Sequence, residues 1–114
     1  MKTNNTRNFS DKHEKSICRA LNAKQVSNSG AGLFKKGDCI QQEASLLIEA
    51  KCSMIDKKSV SIKKAWIDKN REEAFLDRLD NCCLCFNFHP EGENFYIIDE
   101  KLMKYLILKL AEES

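Results

Sequence analysis

Two carboxylates and an ammonium carry the chemistry this sequence suggests: Asp38 in KKGDCI, and Glu49 and Lys51 in LLIEAKC. Read as a strand, residues 46–52 alternate with a period of two. Leu46, Ile48, Ala50 and Cys52 then share one face, and Leu47, Glu49 and Lys51 share the other. If residues 36–40, with the turn-forming Gly37, make a second strand, a short connection sets the two antiparallel. Asp38 then converges with Glu49 and Lys51 at one end of a sheet. Oxygen ligands of this type suit a hard divalent cation such as Mg²⁺ or Mn²⁺, which takes one or two carboxylates and leaves positions for water and phosphate. A neighbouring lysine can orient an attacking water or balance charge on a phosphorane. The plainer alternative is a same-strand ion pair on an exposed face, with Asp38 a turn residue.

The elements that must position these residues follow from periodicity and punctuation. Ser10 is the expected N-cap of a first helix through DKHEKSICRALN, with Ile17, Cys18 and Leu21 as its apolar stripe. Glu14 extends that stripe, or else completes a capping box with Asp11. SNSGAG, residues 27–32, is a loop by composition, and KKGDCIQ and ASLLIEAKC are two short strands. Ser61 is the expected N-cap of a helix over residues 62–79, in which Ile62, Ala65, Trp66, Leu76 and Leu79 cluster on one side. Lys69 and Glu73 fall within that side, so they either find partners at the sheet edge or pair with each other. CCLCFNF and FYII are strands around a HPEGEN turn, and Asp99 caps a last helix with Leu102, Met103, Leu106, Ile107 and Leu110 on one face. Counting a short strand near Val60, the order is αβββαββα. This predicts an α/β fold in which a small mixed sheet is flanked by helices, with residues 1–9 flexible and residues 10–114 as one domain.

Composition bounds the function without naming it. The chain has 114 residues, 42% of them hydrophobic and 32% charged, with a net charge of only +2, as in an ordinary globular domain. Charge is nevertheless uneven: Lys51, Lys57, Lys58, Lys63, Lys64 and Lys69 face only Asp56 and Asp68 in the same stretch. Such a patch suits a polyanion, or is simply a solvated loop and helix start. The polar start MKTNNTRNFSDK lacks an apolar leader region, so a cytoplasmic location with six reduced cysteines is expected. His13 and His89 are expected at the surface. In CCLC, strand alternation sends Cys82 and Cys85 to opposite faces, which favours buried packing over zinc. Trp66 is expected in the core. Tyr105 and Leu108 lie outside the main face of the last helix, an apolar surplus of the kind that serves a symmetric dimer.

The ordered set of Glu14 on a first helix, SGA at residues 29–31, KGD at residues 36–38 and LLIEAK at residues 46–51 resembles the PD-(D/E)xK nuclease superfamily. Within it, the set is most similar to Holliday-junction resolvases of archaea and phages and to related small phage endonucleases. The likeness runs from the first helix to the Phe95 strand, with Gly37 where the motif's name has proline. It implies a restriction-endonuclease-like core and a Mg²⁺-dependent DNA endonuclease acting on branched DNA. A homodimer is implied as well, because a four-way junction must be cut on two strands. Asp38, Glu49 and the Ala50 backbone carbonyl would hold the metal, Lys51 would be the catalytic lysine, and Glu14 would reach the site from the first helix. Ser29 would lie near the scissile phosphate, and Lys69 would face the active site. Lys57, Lys58, Lys63 and Lys69 would contact DNA through its backbone, since no base-reading motif is present. A nuclease of the same fold with another substrate, and a non-catalytic nucleic-acid-binding domain, remain as alternatives.

Overall fold

Hydrophobic alternation and two side-chain clamps build a five-stranded mixed sheet flanked by helices. The computed structural model describes the backbone of residues 5–26 and 38–114, and the side chains of 9–26 and 39–114. Helix α1 spans Asn5–Leu21, strands β1 Lys24–Gln25, β2 Asp38–Gln41 and β3 Leu46–Lys51, and helix α2 Lys64–Leu76. Strands β4, Asn81–Phe86, and β5, Phe95–Ile97, precede helix α3, Glu100–Glu113. The strands lie in chain order, antiparallel except for the β3–β4 pair, which is parallel and is connected through α2.

The alternation in LLIEAK sorts the two layers. Ile48 joins Ile17, Cys39, Cys83 and Cys85 in the buried cluster under α1, with Leu46 and Ala50 packed against it. Leu47, Glu49 and Leu84 are buried on the other face, which α2 covers. A central strand covered on both sides leaves little room for a solvated charge. Side-chain bonds fix the parallel β3–β4 register at both ends. At the start, Ser45 takes a left-handed conformation, its Oγ accepts from the Asp80 N–H at 2.9 Å, and its carbonyl accepts from the Asn81 N–H at 2.9 Å. At the far end, Asn87 Oδ1 accepts from the Ser53 N–H and the Ser53 hydroxyl donates to the Asn87 carbonyl, both at 2.8 Å.

The coarse fold agrees with the sequence expectation, and several local features differ. The third strand before α2 is Lys24–Gln25, not a segment near Val60, which has no strand conformation. Helix α1 begins at Asn5, so Ser10 lies inside it. Asp11 is likewise inside α1 and cannot form a capping box at its start; its carboxylate instead pairs with Lys15 at 3.3 Å. His13 is 2% exposed, not at the surface, because it sits one turn before Ile17 on the same stripe. Helix α2 starts after an extended Lys63 that makes no side-chain cap, so Ser61 does not cap it. It stops at Leu76, where Arg78 adopts φ 60° and the Leu79 N–H bonds the Ala74 carbonyl at 2.8 Å, a Schellman closure. The shorter helix buries Asn70 and Ala74 and leaves Phe75 and Leu76 exposed, which displaces the apolar side expected around Ala65 and Leu76. The Asp99 cap holds: its Oδ1 accepts from the Leu102 N–H at 3.0 Å.

The Ser53–Asn87 clamp makes the junction of β3 and β4 a site of stored stability. Asn87→Ala orphans the buried Ser53 N–H, at a cost of about 1–3 kcal/mol. Urea unfolding should show a lower midpoint with an unchanged slope; an unchanged midpoint contradicts the clamp.

Candidate functional site

Strand β3 carries Glu49 to the face beneath α2, where the residue is 5% exposed. Lys51, two residues on and on the same face, pairs with it: Nζ to Oε2 is 3.0 Å. The same ammonium lies 4.4 Å from the centroid of the Trp66 ring on α2, a cation–π contact that fixes the lysine from a second side. Trp66 is therefore a positioning residue at the site, although its place in the sequence suggested only core packing. Lys63, at the N-cap of α2, approaches the same ring at 5.9 Å.

The β2–β3 register places Asp38 directly opposite Glu49. Directly opposed Cα atoms in an antiparallel pair lie about 4.5–5.5 Å apart, and the two positions share a face of the sheet. Glu49 Oε1 is buried and has no hydrogen-bond partner among the described residues. A buried carboxylate oxygen without a donor costs free energy, so the site favours a ligand that supplies positive charge there. No group of three or more His, Cys, Asp or Glu residues able to hold a metal occurs among the described residues.

The remaining expected site residues separate into three groups. Ser29 lies outside the described residues. Glu14 is 3% exposed, but its described contacts lie on the opposite, α1-covered face: Oε1 accepts from Gln25 Nε2 at 3.0 Å, its backbone carbonyl faces Cys39 Sγ, and its charge helps to raise the Cys52 thiol. Helix α1 covers the face of the even-numbered β3 residues. The Ala50 side chain packs on that same α1 face. Lys57 and Lys58 are exposed beyond β3, where the Lys57 N–H bonds the Phe88 carbonyl at 2.7 Å. Lys69 lies on α2, three residues after Trp66. It is 62% exposed and pairs with Glu73 one turn on, at 3.9 Å, as an i,i+4 pair on a helix flank does. Lys64 is similarly matched by Asp68 at 2.9 Å.

A second polar group sits between α1 and β4–β5. His13 Nε2 lies 3.6 Å from Cys85 Sγ, and Asn94 and Tyr96 adjoin them. All six cysteines are free. Burial pushes the Cys83 and Cys85 thiols up to about 12, so they are protonated and serve as packing at neutral pH. Burial also lowers His13, with Asn94 opposing it in part. Only the spacing of four between His13 and Ile17 hinted at this burial.

No protein-family model matches the chain, and it matches neither a curated protein nor a solved structure. The class defined by the fold is thus an α/β protein with a five-stranded mixed sheet flanked by helices. No helix among the described residues is long and apolar enough to cross a membrane.

The lowered His13 gives a signed pH dependence. The unfolded chain takes up the proton at the ordinary value of 6.5, before the folded protein does. Its contribution is therefore full above pH 6.5 and is lost as pH falls from there toward the folded value. Denaturation measured across that window should show stability falling on acidification, and His13→Gln should flatten the fall. An equal fall in the variant contradicts the assignment.

Proposed function

We propose that the protein is a divalent-cation-dependent DNA endonuclease that hydrolyses phosphodiester bonds, acting on branched DNA in the manner of the resolvases its sequence resembles. The observation that carries this proposal is the buried, unpartnered oxygen of Glu49, beside Lys51 and opposite Asp38. The donor set fits a hard cation: carboxylate oxygens and no soft ligand. Glu49 and Asp38 would hold Mg²⁺, with Mn²⁺ as a substitute, and the Ala50 backbone carbonyl would assist. Bound there, the cation supplies charge neutralisation at the phosphate and a more acidic water.

The chain's own residues account for the other requirements. Lys51, held between Glu49 Oε2 and the Trp66 ring, keeps a fixed ammonium beside the carboxylates. A positive donor fixed before the reaction stabilises developing negative charge at little reorganisation cost. Its contact with Glu49, at 3.0 Å, also orients the carboxylate. Lys57, Lys58 and Lys63, exposed around the site, would attract the sugar–phosphate backbone without reading sequence. Lys69 contributes less to this, since Glu73 offsets its charge. Glu14 accepts from Gln25 Nε2 at 3.0 Å on the α1 face.

Cleavage of a labelled four-way junction, beside a linear duplex of the same sequence, tests the proposal. Paired cuts on the junction are expected with Mg²⁺ and absent with EDTA, and Lys51→Ala should lower the rate by on the order of 10²–10³. Equal cutting of both substrates would keep the nuclease and remove its preference for branches. A folded protein that cuts neither substrate with Mg²⁺ or Mn²⁺ contradicts the enzyme.

A further inference from the structure

Two sulfur atoms meet between helix α1 and strand β2. Cys18 Sγ lies 3.7 Å from Cys39 Sγ, and neither residue is in a disulfide. Cys18 follows Ile17 on the stripe that α1 turns toward the sheet, and it packs against the buried cluster that contains Cys39. Cys39 pairs with Ile48 in the β2–β3 ladder, so both side chains fall on the α1-covered face. The packing of two elements thus brings the thiols together, although 21 positions separate them in the chain.

Their exposures differ. Cys39 is completely buried, whereas Cys18 keeps part of its surface in solvent. A small oxidant therefore has access to Cys18 before Cys39. The four remaining thiols are less suited to react: burial raises Cys52, Cys82, Cys83 and Cys85, the last two to about 12. Thiols held protonated in this way are poor nucleophiles.

We propose that Cys18 and Cys39 form a redox-sensitive pair, reduced at rest and joined as an intramolecular disulfide by hydrogen peroxide. The Cys18 sulfur attacks a peroxide oxygen and the O–O bond breaks, giving a sulfenic acid and one water. The Cys39 sulfur then attacks the Cys18 sulfur. An S–S bond forms as the S–O bond breaks, and hydroxide leaves as a second water with the Cys39 proton. The two thiols supply the two electrons that reduce the peroxide. A disulfide holds its sulfurs about 2.05 Å apart, so the pair must close by roughly 1.7 Å, which side-chain rotation can provide. Excess small thiol reverses the bond by exchange. The link closes a loop containing β1 and takes conformational freedom from the unfolded chain, so the oxidised form gains stability.

Neither metal nor DNA enters these steps, so the pair can be tested apart from the nuclease reading. The folded chain is treated with a small excess of hydrogen peroxide, denatured with an alkylating agent, and mapped by mass spectrometry without reduction. One Cys18–Cys39 cross-linked peptide, two hydrogens lighter than its parts, is expected, with the other four cysteines alkylated. Dithiothreitol should abolish it, and the oxidised protein should melt several degrees above the reduced one. In folded Cys39→Ser, Cys18 should stop at a sulfenic acid that dimedone captures. Alkylation of both Cys18 and Cys39 after treatment overturns the proposal and leaves the pair as core packing. Cys18 halted as a sulfenic or sulfinic acid in the wild-type chain overturns it too, as does a cross-link that forms only when the protein is unfolded before oxidation.

Discussion

A carboxylate buried in a central strand must be compensated where it sits, and the candidate site is organised around that constraint. Glu49 has Lys51 at 3.0 Å on one oxygen and no described partner on the other. An ion pair taken out of water is stabilising only when its geometry is good and the remaining lone pairs are satisfied. Trp66 helps on the lysine side by offering a ring face 4.4 Å away, but nothing comparable among the described residues serves Oε1. Such incomplete compensation is unusual in a core that exists only to be stable, and is expected where a ligand completes the set.

The sheet makes this placement rigid. Register between β3 and β4 is held at one end by Ser45, Asp80 and Asn81 and at the other by Ser53 and Asn87, so β3 cannot slip by one residue. A one-residue slip would turn Glu49 and Lys51 into the α1 core and Ile48 out of it. The antiparallel β2–β3 register then sets Asp38 opposite Glu49. Proximity along the chain is not required: eleven positions separate the two acids, and the ladder brings them face to face.

How far the sequence foretold this structure depended on how local each signal was. The alternation in LLIEAK correctly sorted the residues of β3 into two faces, because strand side chains alternate with a period of two, but it did not show that α2 buries the second face. The Asp99 cap and the α/β order were equally visible. Strand β1 was not: two residues, Lys24 and Gln25, have no period, and they are a strand only because β2 pairs with them. The ends of α2 were misjudged because a left-handed Arg78 closes the helix where no glycine signals a stop. For Glu14, burial on the α1 stripe was correctly expected, but the side of the sheet it faces depends on which layer α1 covers, a tertiary fact with no local signature. His13 shows the same limit, since a polar residue on an apolar stripe reads as solvent-facing until its partners are known.

The most direct measurement of the central claim is a calorimetric titration of Mn²⁺ into the folded protein and into Asp38→Asn and Glu49→Gln. The proposed site predicts saturable binding to the wild-type chain that either substitution weakens by about tenfold or more, since each removes a carboxylate proposed to hold the ion. Absence of saturable binding, or equal affinity in all three proteins, would contradict a metal site between β2 and β3.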